Sequence, residues 1–183
     1  MTVQSSITWL LPAAVLSAPL HAFAVEYLNL EQAQKALFPA ATEFKPRPTL
    51  LTEDQRSAIA KAANVRVRSA EVKLWEARGA AGLLGYVVVD EVLGKHELIT
   101  YAVALRPDGS VAQVEVMDYR ETYGGQIRQP AWRAQFVGKT SRDSVQIDKD
   151  IQNISGATLS SVHVTDGIRR ILATYELALK PPA

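Results

Sequence analysis

A change in the period of its apolar residues constrains this chain more than any other feature. From Val65 to Tyr119 the period is two: Arg66/Val67 and Val72/Leu74 alternate, Tyr86-Val87-Val88-Val89 is a largely β-branched run, and Leu98 to Leu105 is another. Pro107-Asp108-Gly109 is a turn sequence, and Val111, Val114 and Val116 follow it. The segment therefore predicts a hairpin and a sheet that is at least partly antiparallel.

Helical periods flank this block. Leu30, Ala33 and Leu37 share one face of a helix near Leu30 to Leu37, which Pro39 stops. A second helix begins at Thr52, whose spacing to Gln55 is that of a capping box, and runs to about Ala63. Phe44-Lys45-Pro46-Arg47-Pro48 reads as the connector between the two. After the sheet, Tyr123-Gly124-Gly125 breaks the chain. A short helix is expected from Pro130, with Trp132 and Phe136 facing inward and Gly138 ending it. The last helix places Val164, Ile168, Ile171, Leu172, Tyr175 and Leu179 on one stripe, with Ser160 or Ser161 as N-cap and Arg169, Arg170 and Glu176 on a solvated face. The expected class is α+β, one antiparallel sheet with helices packed against it.

Composition narrows the function. The 183 residues suffice for one domain with a real core. Lys and Arg number 20 against 19 Asp and Glu, with no basic stripe, so the electrostatic footprint of nucleic-acid binding is missing. There is no cysteine, which removes disulfides, thiol catalysis and cysteine-held metals. The first 24 residues carry no charged side chain, and Ile7 to Leu20 is almost wholly apolar. The sequence His21-Ala22-Phe23-Ala24 fits a cleavage site before Val25. Residues 1–24 are thus expected to be a secretory signal, with an uncleaved membrane anchor as the alternative. Pro12 and Pro19 argue against a spanning helix.

Several motifs fail on inspection. Gly138-Lys139-Thr140 lacks the first glycine of a P-loop, since Arg133 stands there and a helix precedes it. No nucleophile elbow of the form G-x-S-x-G occurs. His96-Glu97 has no second histidine at helical spacing, and His163 is the other histidine beyond the leader, so no metal site is expected. Asn153-Ile154-Ser155 is a formal glycosylation sequon of little weight. The stretch from Ile154 to Ser161 differs. Gly156 and Ala157 leave the backbone uncovered, Thr158 offers a hydroxyl that can be esterified, and the next helix directs its N-terminus at any phosphate placed there.

Ser155-Gly156-Ala157-Thr158 resembles the signature of the FMN-binding domain family. That family includes the flavin subunits of the sodium-pumping NADH:quinone oxidoreductase and the Rnf complex, as well as small exported single-domain proteins. The resemblance extends from about Gly85 to Leu172. It includes Gly94-Lys95-His96-Glu97, the hairpin, Glu121-Thr122 with the following glycines, Gln135 to Lys139, and His163 to Arg170. It implies FMN joined to the Thr158 hydroxyl through a phosphoester, donated from FAD by a Mg²⁺-dependent transferase. Ser155, Gly156, Ala157 and Leu159 would surround the phosphate, Glu121 and Thr122 would line the flavin ring, and Lys95, His96 and Glu97 become pocket candidates. Two features depart from the family pattern. Gln152 and Asn153 stand where the family commonly has an acid and a small residue, with Asp150 an acid out of register. The family's Glu-Thr-Pro-Gly turn reads Glu121-Thr122-Tyr123-Gly124 here. Trp75 and Trp132 read as core aromatics rather than flavin stackers.

The implied organisation is a leader over 1–24, an N-terminal helical segment over 25–64 and an FMN-binding domain over 65–180. The implied function is that of an exported, periplasmic electron carrier. Its partners would be the transferase, a membrane electron donor and a downstream redox acceptor. The alternatives are a terminal flavin reductase acting directly on an extracytoplasmic acceptor, and a flavin-free module that binds or regulates a membrane complex.

Overall fold

The computed structural model describes residues 25–26, 28–121 and 124–181; the expected leader over 1–24 lies outside them. In chain order the elements are β1 (Val25–Glu26), α1 (Leu30–Leu37), β2 (Glu43–Pro46), β3 (Thr49–Leu50), α2 (Glu53–Ala63), β4 (Glu71–Gly79), β5 (Gly82–Leu93), β6 (Leu98–Leu105), β7 (Val111–Tyr119), α3 (Pro130–Arg133) and α4 (Thr158–Thr174). Single 3₁₀ turns flank α3, and α4 ends in a wider π-type turn over Tyr175–Leu179.

The strands form an antiparallel sheet in the order β1-β7-β6-β5-β4-β2, with β3 pairing with β4. The central register sets Val88 against Val103 and Tyr101 against Val116. Both faces of this sheet are covered, which explains the unbroken apolar run at Tyr86–Val89. Tyr86 and Val88 enter the larger core with Ile168 and Leu172 of α4, whereas Val87 and Val89 meet Ala33 and Leu37 of α1 on the opposite face. Trp132 and Phe136 face inward as expected, with rings 5.1 Å apart at 78°. Helix α2 packs Ile59 and Ala63 against Ala173 near the end of α4. Residues 25–64 therefore carry three short strands besides their two helices.

Three local expectations are corrected. The Phe44–Pro48 connector is extended: β2 pairs with β4, and the Arg47 N–H donates to the Leu74 carbonyl at 2.9 Å. Proline is accommodated there because β2 is the edge of the sheet. Helix α4 starts at Thr158, so Ser160 and Ser161 lie inside its first turn and do not cap it. Nor do Arg169 and Arg170 form a solvated face. Arg169 donates to the carbonyls of Ala63 and Val145 at 2.6 and 2.9 Å and to Asp166 at 2.7 Å. Arg170 pairs with Asp90 of β5.

The Arg170–Asp90 pair belongs to a junction between α4 and the sheet. Asp90 also accepts the Tyr101 hydroxyl at 2.6 Å. Burial, with the Asp90 charge beside it, pushes the Tyr101 phenol well above its ordinary range, so it stays protonated and donates. Gly167 makes this contact possible: a Cβ there would lie 1.9 Å from the Tyr101 hydroxyl oxygen and 3.1 Å from a Val92 methyl. Overpacking of this kind costs about 1–3 kcal/mol. Gly167→Ala is expected to lower the melting temperature by roughly 4–8 °C. In the Gly167→Ala/Tyr101→Phe double variant the clash is relieved, and calorimetry should return a loss smaller than the sum of the two singles.

Candidate functional site

Placed by that junction, the N-terminal end of α4 meets two loops from the sheet. The Ser155–Gly156 turn closes with the Ala157 N–H donating to the Ile154 carbonyl at 3.0 Å, and Gly156 takes φ +81°. No side chain caps the helix at Ala157, so its first N–H groups are left open toward the turn. Ser155, Gly156, Thr158 and Leu159 are exposed, while Ala157 is buried. The hydroxyl of Thr158 thus stands at the first helical position beside open backbone donors.

The two serines expected to cap the helix have other partners. Ser160 lies 3.2 Å from the Tyr119 hydroxyl at the end of β7. Ser161 is fully buried, with its hydroxyl 2.8 Å from Asn153 Oδ1 and 3.0 Å from the Thr158 carbonyl oxygen. Gly124, at φ +96°, fits against the same end of the helix. A Cβ on it would stand 2.5 Å from the Tyr119 hydroxyl oxygen and 3.2 Å from the Ala157 Cβ. Positive φ and lack of space both require glycine there.

Glu121 joins the second loop to this wall. Its carboxylate accepts the N–H of His96 at 2.6 Å and of Glu97 at 3.1 Å. Burial alone would raise the Glu121 pKa, but the amides of His96, Glu97 and Lys95 outweigh it and hold the carboxyl below its usual range. The structure thus brings Glu121 together with Lys95, His96 and Glu97, whose side chains are exposed at the β5–β6 tip. Thr122 lies outside the described residues. His163, one turn beyond Leu159 on the same helix face, donates through Nδ1 to the Leu93 carbonyl and ties α4 to this tip. Leu93, Leu98 and Leu159 add exposed apolar surface around it. Among the described residues, no group of three or more acidic or histidine side chains could hold a metal ion.

The segment before the turn is fastened from outside. The Trp132 indole donates to the Gln152 carbonyl at 2.7 Å, and Gln135 Oε1 accepts the Gln152 N–H at 2.8 Å. Trp132 is therefore a buried positioning aromatic, and Trp75 lies in the α1-side core. Asp150 accepts the N–H groups of Val145 and Gln146 at 3.0 and 2.8 Å, and Lys139 Nζ at 3.0 Å. Burial opposes ionisation of Asp150, yet these donors hold its pKa below the ordinary range. It secures its own loop, in which Val145 adopts φ +43°. Sequence reasoning misses this clamp, the Gly124–Ala157 contact and the Asn153–Ser161 bond. Their partners are far apart in sequence or chemically unremarkable, so no spacing signals them. A groove of about 570 Å³ lies between residues 64–69, β5 and α4, reaching the site only through Leu93 and His163.

Residues 94–173 match the family model of the FMN-binding domain, a window that contains the 95–97 tip, Glu121 and the Ser155–Leu159 segment. The chain is 33% identical over 94 residues to a component of the proton-translocating ferredoxin:NAD(+) oxidoreductase complex of Clostridium ljungdahlii, covering 47% of this chain and 50% of that protein. It is 24% identical over 168 residues to the corresponding component of the Na(+)-translocating ferredoxin:NAD(+) oxidoreductase complex of Acetobacterium woodii, covering 83% and 78% of the two chains. The chain thus spans half the length of the first of these relatives. The crystal structure of Shewanella oneidensis NqrC aligns with a TM-score of 0.46 and 17% identity, over 80% of this chain and 82% of that one. The expected resemblance to the FMN-binding domain family holds over residues 94–173. Among the described residues no helix is long and apolar enough to cross a membrane.

The Glu121 latch has a pH signature. A carboxyl whose pKa is depressed on folding contributes fully above its unfolded value of about 4.3, and the contribution fades as pH falls through the folded value. The amide proton resonances of His96 and Glu97 are expected to titrate together below about pH 4.3. In Glu121→Ala they should shift upfield at neutral pH, lose that titration, and exchange with solvent about tenfold faster or more.

Proposed function

Taking as premise that residues 94–173 carry an FMN-binding domain, we propose that the chain is an exported electron carrier whose FMN is a phosphoester of Thr158. The observation that carries this reading is the exposed Thr158 hydroxyl at the first position of an uncapped seventeen-residue helix. The residues fit the group. Nothing lies within 4 Å of a Cβ built on Gly156, so the space beside Thr158 is open, and the open N–H groups with the helix dipole suit a phosphodiester anion. By contrast, α1 and α2 both begin with complete capping boxes, Asn29 with Gln32 and Thr52 with Gln55. Forgoing a cap costs about 1 kcal/mol, which a bound anion would offset.

Attachment is a single maturation step. The Thr158 oxygen forms a bond to the FMN phosphorus of FAD, the pyrophosphate bond breaks, AMP leaves, and the hydroxyl proton passes to solvent. The Mg²⁺-dependent transferase inferred from the resemblance would perform it. When bound, FMN supplies chemistry that joins two-electron donors to one-electron acceptors. The protein's own residues hold and expose it. Glu121 fixes the 94–97 tip, His163 ties that tip to α4, and Leu93, Leu98 and Leu159 offer apolar surface beside it. The side chains of Lys95, His96 and Glu97 are exposed and do not enclose a cavity, which favours exchange with a docked partner over turnover of a small substrate. Partner proteins of a membrane complex are the natural donor and acceptor. A leader over residues 1–24 would deliver the chain to the far side of the membrane.

Co-expressed with a flavin transferase, the wild-type protein should retain flavin absorbance after denaturation and gel filtration, and Thr158→Ala should lose it entirely. Thr158→Ser keeps the hydroxyl and should retain a measurable fraction. Equal flavin content in wild type and Thr158→Ala would refute the phosphoester.

A further inference from the structure

Two residues outside the four-residue signature close a hydrogen-bonded ring around Thr158. Asn153 Oδ1 lies 2.8 Å from its neighbour's N–H at Ile154 and 2.8 Å from the Ser161 hydroxyl. The Ile154 carbonyl accepts the Ala157 N–H at 3.0 Å, and the Ala157 carbonyl accepts the Ser161 N–H at 2.9 Å. The ring thus runs from Asn153 to Ile154, Ala157 and Ser161 and returns to Asn153, with Thr158 held inside it. Ser161 is 0% exposed, so its hydroxyl depends on the Asn153 oxygen and the Thr158 carbonyl for partners. Asn153 is exposed and carries no core packing.

We infer that Asn153, acting through Ser161, is a positioning residue for cofactor attachment. It clasps the Ser155–Gly156 turn onto the first turn of α4 so that the Thr158 hydroxyl meets the modifying enzyme in one orientation. Without the clasp the turn can pivot about Gly156, whose position has nothing within 4 Å of a built Cβ to restrain it. A nucleophile misplaced by about 1 Å can lose on the order of a hundredfold in rate. The fixed backbone of Gln152, held by Trp132 and Gln135, gives the clasp a rigid base. The modifying enzyme therefore reads a folded turn rather than a flexible peptide.

This inference rests on the phosphoester at Thr158, and its test separates the two. Initial rates of flavin incorporation are measured with purified transferase, FAD and Mg²⁺ on wild type, Asn153→Ala, Ser161→Ala and the double variant. The expected result is a loss of about tenfold or more in kcat for each single variant, with melting temperature little changed. The double variant should be no slower than the slower single, because both break one ring. Should Asn153→Ala fail to fold, Ser161→Ala carries the same comparison. Wild-type incorporation with an unaffected rate in the single variants, or strictly additive losses, would overturn the clasp alone. No incorporation into folded wild type by its cognate transferase would overturn both the clasp and the phosphoester.

Discussion

The close approach of Gly167 to Tyr101 fixes everything at the functional end of this molecule. A helix can lie this near a sheet only where a residue has no Cβ, and Gly167 sits where a Cβ would overlap the phenol oxygen. The hydroxyl then reaches Asp90, and Arg170 neutralises that carboxylate from one turn further along α4. The pair is partly buried, at 17% and 25% side-chain exposure, so removing one partner would strand a poorly solvated charge. Position, rotation and tilt of α4 follow from this junction together with the Ile168 and Leu172 core contacts. The first turn of the helix consequently falls where β7 ends and the β5–β6 tip begins.

At that end the longest helix, α4, forgoes a side-chain cap, whereas the two N-terminal helices, α1 and α2, are capped reciprocally. Gly124 and Gly156 adopt positive φ, and the β-branched Val145 does so in the loop leading to the signature. The strained Val145 and the open donors at the start of α4 mark a place organised around something other than stability. Carboxylates anchor the surroundings through backbone amides: Glu121 takes those of the 94–97 tip, and Asp150 those of Val145 and Gln146. The loops can therefore be rigid while the side chains of Lys95, His96 and Glu97 remain exposed.

Much of this is legible in the residues. The Leu98–Leu105 strand, the helix over Leu30–Leu37 and the Thr52–Gln55 capping box emerge with their expected boundaries, because each rests on a local period or a local bond. Where the reading fails, a distant partner decides the outcome. Ser160 and Ser161 look like caps until Tyr119 and Asn153 claim their hydroxyls. Arg169 and Arg170 look solvated until Ala63, Val145 and Asp90 are folded against them, across up to 106 residues of sequence. The Phe44–Pro48 stretch looks like a connector because an edge strand can carry prolines that a central strand could not. Glu121 follows a strand and precedes a glycine pair, which draws the eye to it. That its carboxylate grips a neighbouring loop is a role that only tertiary contact defines.

The most direct test is tandem mass spectrometry of the tryptic peptide Asp150–Arg169 from protein co-expressed with a flavin transferase. The account predicts one FMN phosphate adduct on that peptide, with fragment ions assigning it to Thr158. An unmodified peptide alongside flavin that is released on denaturation, or an adduct on any other residue, would contradict it.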